Sequence, residues 1–582
     1  MARAQSAIAA VRLKSWITLV IATVLGLTAS IAMEKATSNG LGFSPDSVSY
    51  YAVAQGIAAG DGFVDARRYN EPSRPNYPPG YSSLIAAAGL FGDDLRQSTR
   101  SLHILLAGLT AGLIFVLGLQ VTRTIALGMI AALIFLGLRD TYVVSRMMWS
   151  EPSFTVFVLG FACSMLAYVN RPRLVWLVLA TLCAFVAASI RMPGVSLAFS
   201  GGLCILFYSP GPRFTRFIRA NIFGAIAIAP TLAWLVRNTL VIGDVYADRP
   251  PSLMAFNAQN FQRGGEVLLN WTGEPNGINL LLAALVAAGI WLAFHPNGLT
   301  RKLSSKAWQS LLIIIGIYFA IMAAGVISYG LSKPFDARLF FPVTGIVIVA
   351  VLYGALQLIS FLLSRTEVKL GNELELGAFA ICASAIAIVS TGLWLASSPL
   401  FLMPLGVAVL AVGGTLICAY RPSLLAKCRI AQSVSTASIA LLCFLTWQTA
   451  SLHSQPYNRG IETRVVPNII EAYRALPTDL PVFSNYDDRA YMFAERQVLR
   501  LPRLYSVDRA RAGERAENYK ALLASFEARV SEGAYVMYLL PNRRFYLPGP
   551  NELAQLMRLE ETARTEDGVI YYVPPQPADL QD

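Results

Sequence analysis

Residues 43–81 read FSPDSVSYYAVAQGIAAGDGFVDARRYNEPSRPNYPPGY, a polar segment with several Pro and Gly residues that follows the first apolar run. The ring of Pro45 restricts the backbone just before Asp46, so a short helix is predicted over residues 47–59 with Asp46 or Ser47 as its N-cap. The unpaired amides and the dipole of a helix N-terminus stabilise a carboxylate there. Asp46 is therefore either a simple cap or a candidate general base.

The composition is that of an integral membrane protein. Of the 582 residues, 55% are hydrophobic and only 14% are charged, whereas about a quarter of the residues of a soluble protein are charged. Many apolar runs are long enough to cross roughly 30 Å of hydrocarbon. They predict a membrane all-α protein with about 13 transmembrane helices, at residues 15–33, 100–121, 124–146, 151–169, 174–190, 194–208, 217–236, 278–295, 308–330, 339–364, 376–397, 402–420 and 431–452.

The distribution of basic residues indicates the orientation. If the N-terminus is cytoplasmic, the segments placed inside are rich in Arg and Lys, and their only acids are Glu367, Glu373 and Glu375. By the positive-inside rule, the N-terminus is expected inside and the C-terminus outside. Residues 34–99 then form the first outer loop. The net charge of +12 follows from this topology, so nucleic acid is not expected as a partner.

The composition changes near residue 453. The preceding residues, 1–453, form the predicted membrane domain, and residues 454–582 a small extracytoplasmic α/β domain. Its strands are predicted at 481–484, 498–501, 534–540 and 569–573, and its helices at 468–475, 487–495 and 519–530. A nucleotide site would need a Gly-rich turn between strand and helix, which the sequence lacks. The domain is either a cap on the acceptor side or a structural appendage.

A second acid lies at the outer end of a predicted span. Glu151 follows Ser150 and precedes Pro152, which places it in the first turn of a helix that Ser150 caps. It is either a capping acid or a second acid that faces Asp46. Arg146, in the same turn region, is assigned to the acceptor pocket.

Four basic residues lie where spans meet the outer interface. An Arg within the membrane costs roughly 2.5–3.5 kcal/mol unless it is paired or reaches the headgroups. Guanidinium groups bind phosphate oxygens in a bidentate way. These residues therefore either extend to lipid headgroups or hold the phosphate of a lipid-linked donor: Arg191, Arg237, Lys333 and Arg338.

The segments PDSVSYY, GIAAGDGF and NYPPGYSSLIAA resemble the first outer loop of the GT-C fold membrane glycosyltransferases, in particular the bacterial enzymes related to protein O-mannosyltransferases and to the lipid A aminoarabinose transferase. The resemblance implies that Asp46 is the catalytic base and that the donor is a polyprenyl-phosphate sugar. It also implies that basic residues of the outer loops bind the donor phosphate. Members often carry an Asp-Glu pair where this chain has Asp46 and Ser47. SNYDDRAYMF resembles the outer C-terminal domain of many bacterial members.

The predicted activity is sugar transfer from a polyprenyl-phosphate donor to an acceptor hydroxyl at the outer face of the bacterial cytoplasmic membrane. Asp46 removes the proton, and a single displacement inverts the anomeric centre. The sugar, hexose or pentose, and the acceptor, a glycan, glycolipid or protein, stay open. No metal site and no cofactor are predicted, and a divalent cation is left open. Aromatic and proline residues are expected to shape the acceptor pocket: Tyr50, Tyr77, Pro79 and Tyr81.

Two other classes share this topology. A transporter or lipid-linked glycan flippase would typically show internal repeats and polar residues at mid-membrane, and neither is evident in the sequence. A glycan polymerase or ligase would differ in needing a pyrophosphate-linked donor.

Overall fold

The computed structural model describes residues 2–69, 71–73, 77–123, 125–243, 306–329, 337–364, 453–458, 460–506, 513–516, 518–541 and 544–575. Two compact units divide the chain. The membrane unit consists of Met1–Leu41 and Thr99–Tyr457, and the sheet unit of Gly42–Ser98 and Asn458–Asp582. The domain boundary predicted at residue 453 stays a prediction.

Long apolar helices make up the described part of the membrane unit. Helices α2 (Pro45–Ala59) and α3 (Pro79–Gly89) follow α1 along the chain but belong to the sheet unit. The described helices of the membrane unit are α1 (Ala2–Ala36), α4 (Leu95–Thr122), α5 (Ile125–Gly137), α6 (Arg139–Ser145), α7 (Glu151–Asn170), α8 (Leu174–Ile190), α9 (Val195–Tyr208), α10 (Arg213–Val241), α11 (Lys306–Tyr329) and α12 (Ala337–Ser364).

Among the described residues, five helices are long and apolar enough to cross a membrane. A sixth candidate is the pair α5 and α6, which is bent by 64°. Each predicted span that falls on described residues coincides with a helix or, for residues 124–146, with this bent pair. Four predicted spans lie outside the described residues, at 278–295, 376–397, 402–420 and 431–452. The fold is therefore that of a helical membrane protein, and the total of about 13 spans stays a prediction.

Helix α7 is the central helix of the described membrane unit. In an apolar stretch of 18 residues of α7, 83% of the residues are buried, whereas 17% are buried in the corresponding stretch of α1. It packs against α8, α11 and α12. Pro152 lies in the first turn, where a missing amide hydrogen costs nothing. The N-terminal residue of this buried helix is Glu151, so its carboxylate is held within the packed interior.

The sheet unit combines the first outer loop with the C-terminal part of the chain. Besides α2 and α3, the loop contributes the strand pair β1 (Val64–Asp65) and β2 (Glu71–Pro72). The C-terminal part contributes a five-stranded sheet and four helices: β3 (Val482–Ser484), β4 (Leu499–Arg500), β5 (Ala534–Leu539), β6 (Glu560–Thr565), β7 (Gly568–Val573), α13 (Ile469–Ala475), α14 (Asp487–Ala494), α15 (Tyr519–Val530) and α16 (Pro550–Leu556).

The five-stranded sheet has the order β4-β3-β5-β7-β6. Strand β3 pairs in parallel with β4 and β5, and β7 runs antiparallel to β5 and β6. Apolar side chains fill its core, including Phe483 and Phe526, whose rings meet edge to face at 4.9 Å. The four predicted strands coincide with β3, β4, β5 and β7, whereas β6 was not predicted.

Candidate functional site

Asp46 lies in the first turn of α2, which begins two residues earlier than predicted. The N-cap is Ser44, so the assignment of that position to Asp46 or Ser47 is wrong. Ser44 and Ser47 form a capping box, in which each side chain accepts a hydrogen bond from the other residue's backbone N–H. Pro45 is accepted because the first helical position needs no amide hydrogen. With Ser44 as the cap, the half-buried carboxylate of Asp46 is not needed for capping.

A tyrosine hydroxyl fixes the orientation of this carboxylate. Tyr77, two residues before α3, donates a hydrogen bond from its hydroxyl to Oδ1 of Asp46 at 3.0 Å. Tyr50 lies one turn after Asp46 on the same face of α2. Its ring packs edge to face on Tyr77, at 5.2 Å between centroids, and on Tyr81, at 4.9 Å. The predicted residues of the first outer loop therefore meet around one carboxylate; Pro79 starts α3 between the two later tyrosines.

Close backbone packing holds α2 in place. A Cβ on Gly56 would lie 2.9 Å from both the carbonyl oxygen and the Cγ2 of Val64 in β1. Only glycine allows β1 to approach the helix so closely. The helix ends at Gly60, whose φ of +86° suits glycine. The acid at the start of α2 is thus supported by contacts along the helix.

In the membrane unit, the structure brings together three of the predicted site residues, Glu151, Arg191 and Arg338. Arg191 approaches Oε1 of Glu151 through Nη1 at 2.6 Å, and Arg338 donates to the same oxygen through Nε at 2.9 Å. These residues come from α7, the end of α8 and α12, so helix packing assembles the cluster.

Neighbouring side chains orient the two arginines. Arg191 also donates to the hydroxyl of Ser150 at 2.9 Å, and the guanidinium of Arg338 lies 3.9 Å from the ring centroid of Trp149. Sequence analysis did not assign a site role to Trp149 or to the Ser150 hydroxyl. The feature of the sequence that could have indicated such a role is that both residues directly precede Glu151.

Among the described residues, this cluster combines two guanidinium groups with one carboxylate. Glu151 is fully buried, whereas the side chains of Arg191 and Arg338 are 17% and 20% exposed. Oε2 of Glu151 is buried and has no hydrogen-bond partner among the described residues. Two guanidinium groups thus share one carboxylate and stay partly accessible, an arrangement that favours the binding of an anion.

The remaining predicted site residues lie elsewhere or are not described. Arg237 packs over the ring of Trp234 at 4.7 Å and donates to Asn238. Arg146 packs over Tyr457, with 4.3 Å to the ring centroid. Lys333 lies outside the described residues. The roles assigned to these three residues stay predictions.

Metal ligands do not cluster in the part of the chain that the structure describes. There, no group of three or more His, Cys, Asp or Glu side chains is placed to hold an ion. The two sites above are built from single carboxylates with arginine or tyrosine partners.

No protein-family model matches the sequence, and no curated protein matches it. Solved structures do match. The structure is similar to that of ArnT from Cupriavidus metallidurans bound to undecaprenyl phosphate, with 15% identity, a TM-score of 0.53, and coverage of 97% of this chain and 99% of ArnT. For ArnT in the apo state, the identity is 14%, the TM-score 0.51 and the coverage 97% and 100%. ArnT has the GT-C fold, so the fold implied by the resemblance of the first outer loop is confirmed, and this chain is a GT-C fold membrane protein.

Proposed function

We propose that this protein is a glycosyltransferase that moves a sugar from a polyprenyl-phosphate donor to an acceptor hydroxyl. The observation that carries the proposal is the carboxylate of Asp46, held by the Tyr77 hydroxyl at 3.0 Å in the first turn of α2. Two further observations support it: the pair of partly accessible arginines on Glu151, and the GT-C fold, which the chain shares with ArnT, a protein solved with bound undecaprenyl phosphate.

In the proposed reaction, Asp46 is the general base. Its carboxylate takes the proton of the acceptor hydroxyl as the oxygen attacks the anomeric carbon of the sugar. The bond between that carbon and the phosphate oxygen breaks, and the phosphate leaves with the electron pair. A single displacement of this kind inverts the anomeric centre. The hydrogen bond from the Tyr77 hydroxyl to Oδ1 of Asp46 holds the carboxylate in one orientation.

Arg191 and Arg338 are proposed to bind the donor phosphate. The departing phosphate gains negative charge, and guanidinium groups already oriented by Glu151, Ser150 and Trp149 stabilise that charge without having to reorganise. Glu151 is then an orienting acid for the arginines; a direct role as a second catalytic acid stays a prediction. Arg237, Lys333 and Arg146 keep their predicted roles in donor and acceptor binding as part of this proposal.

The reaction is proposed to take place at the outer face of a bacterial cytoplasmic membrane. This proposal is supported by the basic residues of the predicted inside segments, which favour an orientation with residues 34–99 and the C-terminal part of the chain outside the cytoplasm. Nucleotide sugars are not expected on that side, so the donor has to be attached to a lipid. The acceptor is a glycan, glycolipid or protein hydroxyl.

The test is transfer by the purified protein in lipid, with a labelled sugar on polyprenyl monophosphate and a panel of glycan, glycolipid and peptide acceptors. Asp46→Asn should abolish transfer while the protein still binds undecaprenyl phosphate. Asp93→Asn is the matched control, because Asp93 is an exposed carboxylate of the same loop. Full activity of Asp46→Asn would overturn the assignment of the base.

The same assay separates the other two classes. Activity with a pyrophosphate-linked donor alone would indicate a polymerase or ligase. Movement of the labelled lipid between leaflets without any transfer would indicate a flippase. Either result would contradict the proposed function.

A further inference from the structure

The parallel strands of the sheet unit form a crevice of the kind that binds ligands in other α/β folds. Strand β3 lies between β4 and β5, and the chain reaches β4 through α14 and then β5 through α15. The first connection therefore leads from β3 to the strand on one side of it, and the second returns from that strand to the other side of β3. In open α/β sheets, ligands bind outside the carboxyl ends of the strands at such a switch point.

Polar residues follow the ends of these strands. Asn485, directly after β3, exchanges two hydrogen bonds with the backbone of Leu539 in β5, at 2.9 and 2.8 Å. Asp487 and Asp488 follow at the start of α14 and are both buried. Asp487 accepts from Arg500 at 2.7 Å and from Arg544 at 3.2 Å, and Arg544 also donates to Asp488 at 2.6 Å.

The occupant of this crevice is an arginine of the first outer loop. Arg67 is 1% exposed, and its Nη1 lies 3.4 Å from Oδ2 of Asp487. Its Nη2 donates to Asp65 at 2.7 Å. The backbone of the loop also contacts the sheet unit, because the carbonyl of Arg67 accepts from the amide of Val498 at 2.8 Å, at the amino end of β4. The side chain of Arg67 therefore contacts Asp487 beyond the carboxyl end of β3, the side on which ligands bind in open α/β sheets.

The charges of this buried network balance. Its three carboxylates are Asp65, Asp487 and Asp488, and its three guanidinium groups are Arg67, Arg500 and Arg544. Burial alone would raise the pKa of Asp487, but Arg500, Arg67 and Arg544 hold it well below its usual range. Burial opposes the charge on Arg67, yet Asp65 and Asp487 raise its pKa above the ordinary value. Asp487 and Arg67 are therefore both charged at neutral pH.

The same contacts reach the helix that carries Asp46. Arg67 donates through Nη2 to the hydroxyl of Ser49 in α2, at 3.3 Å. Near the other end of α2, Gln55 accepts a hydrogen bond from the hydroxyl of Tyr491 in α14.

The residue before the cap of α2 is also held by the C-terminal part of the chain. The ring of Phe43 meets that of Phe493 edge to face at 5.8 Å. The guanidinium of Arg464 lies over the Phe43 ring, 4.0 Å from its centroid. Helix α2 is thus held before its N-terminus, in its second turn and near its C-terminus by residues of the same unit.

We propose that the five-stranded sheet and α14 act as a positioning domain for Asp46. In this proposal, the switch-point crevice binds Arg67 of the first outer loop in place of an external ligand, and Tyr491 and Arg67 fix α2 in the orientation that the base requires. This inference rests on the proposed function. Tyr491 and Arg67 are positioning residues, since they act through α2.

The conservative test is Tyr491→Phe, which removes only the hydroxyl bound to Gln55. Tyr538→Phe is the matched control, because it also removes a tyrosine hydroxyl of the sheet unit, one that donates to the carbonyl of Pro548 instead of to α2. Arg67→Lys is the second variant. It keeps the charge, but an ammonium lacks the planar fork that contacts Asp65, Asp487 and Ser49 together.

Hydrogen exchange and kinetics are measured on the full chain in lipid. Tyr491→Phe and Arg67→Lys should speed the exchange of α2 amides and lower kcat by about tenfold, because small displacements of a catalytic group are costly. The KM for the lipid donor should stay unchanged. Tyr538→Phe should change neither α2 exchange nor kcat.

The outcomes separate this inference from the proposed function. Unchanged exchange in α2 for both variants would overturn the positioning role, and so would faster exchange without a fall in kcat. If Asp46→Asn is fully active, the proposed base fails. The exchange data then still decide whether the crevice holds α2.

Discussion

The hydroxyl of Tyr77 and Oδ1 of Asp46 are joined by a hydrogen bond of 3.0 Å. Asp46 lies in the first turn of α2 and Tyr77 just before α3, so the bond joins two helical segments of the first outer loop and orients the carboxylate. Tyr50, one turn after Asp46 in α2, packs its ring edge to face on that of Tyr77, with 5.2 Å between centroids. A base that must meet an acceptor hydroxyl in one geometry benefits from such a fixed orientation.

Tyr77→Phe is expected to lower kcat by roughly fivefold and to leave the protein folded. The aromatic contact with Tyr50 survives, and only a hydrogen bond to a carboxylate is lost, which is worth about 1–3 kcal/mol. Steady-state kinetics with the polyprenyl-phosphate donor measure the change. Tyr535→Phe, a half-buried tyrosine of β5, is the control. Loss of all activity in Tyr77→Phe would instead give Tyr77 a direct part in the proton transfer.

Arg338→Ala is expected to weaken the binding of undecaprenyl phosphate by roughly tenfold, because a charge-assisted contact with phosphate is removed. Glu151 keeps Arg191 as its partner at 2.6 Å, so the helices around it should stay packed. Competition between labelled and unlabelled lipid measures the affinity. Arg173→Ala, at an exposed arginine between α7 and α8, should bind normally. Equal affinity of Arg338→Ala and the unchanged protein would contradict a role in phosphate binding.

Glu151→Gln is expected to destabilise the membrane unit by about 3–5 kcal/mol, since removing one partner of a buried ion pair leaves the other charges uncompensated. Here two arginines would lose their shared carboxylate. Thermal unfolding of the detergent-solubilised protein measures the loss. Glu34→Gln, at an exposed carboxylate near the end of α1, is the control. Unchanged stability of Glu151→Gln would mean that the arginines do not depend on this acid.

Gly56→Ala is expected to lower both stability and activity. The new Cβ would lie 2.9 Å from the carbonyl oxygen of Val64, a backbone atom that cannot move without shifting β1. Overpacking of this kind costs about 1–3 kcal/mol. Gly224→Ala is the control, because its Cβ meets nothing within 4 Å and alanine favours a helix. Normal transfer by Gly56→Ala would show that the approach of β1 to α2 is not needed for the site.

The acid and its aromatic partners could be predicted from the sequence, because they belong to one loop whose motifs resemble those of a known family. The first residue of α2 could not be predicted in the same way. Proline disfavours the continuation of a helix but fits its first position, and the sequence alone does not distinguish these two cases at Pro45. For Glu151, Arg191 and Arg338, the sequence marked each as a polar residue at a span end. Their meeting depends on how α7, α8 and α12 pack, which periodicity does not reveal.

Strand β6 and the contact between Arg67 and Asp487 are harder to predict from the sequence. Strand β6 reads EETART, which lacks the apolar alternation of a strand, and it forms because it pairs with β7 at the edge of the sheet. The pairing of Arg67 with Asp487 joins the first outer loop to the C-terminal part of the chain. Neither residue belongs to a sequence motif that predicts its contact with the other, so only the folded structure reveals the network.

The stability of the sheet unit should depend on pH through Asp487. The surrounding arginines, Arg500, Arg67 and Arg544, overcome the effect of burial and hold its pKa below the usual 3.8. The folded state therefore binds this proton less readily than the unfolded state, and the stabilisation is fully present above about pH 5. It is lost as the pH falls below about 4 toward the folded pKa.

Global hydrogen exchange of β3 and β5 amides between pH 7 and pH 3 measures this dependence, after correction for intrinsic exchange rates. Asp487→Asn should lower the free energy of unfolding at pH 7 by about 3–5 kcal/mol, because buried guanidinium groups lose their shared carboxylate. It should also flatten the decline below pH 4, since the titrating group is gone. The exposed Asp479→Asn, just before β3, should keep both the stability and the decline. An unchanged acid decline in Asp487→Asn would mean that other carboxylates govern the acid stability of the sheet unit.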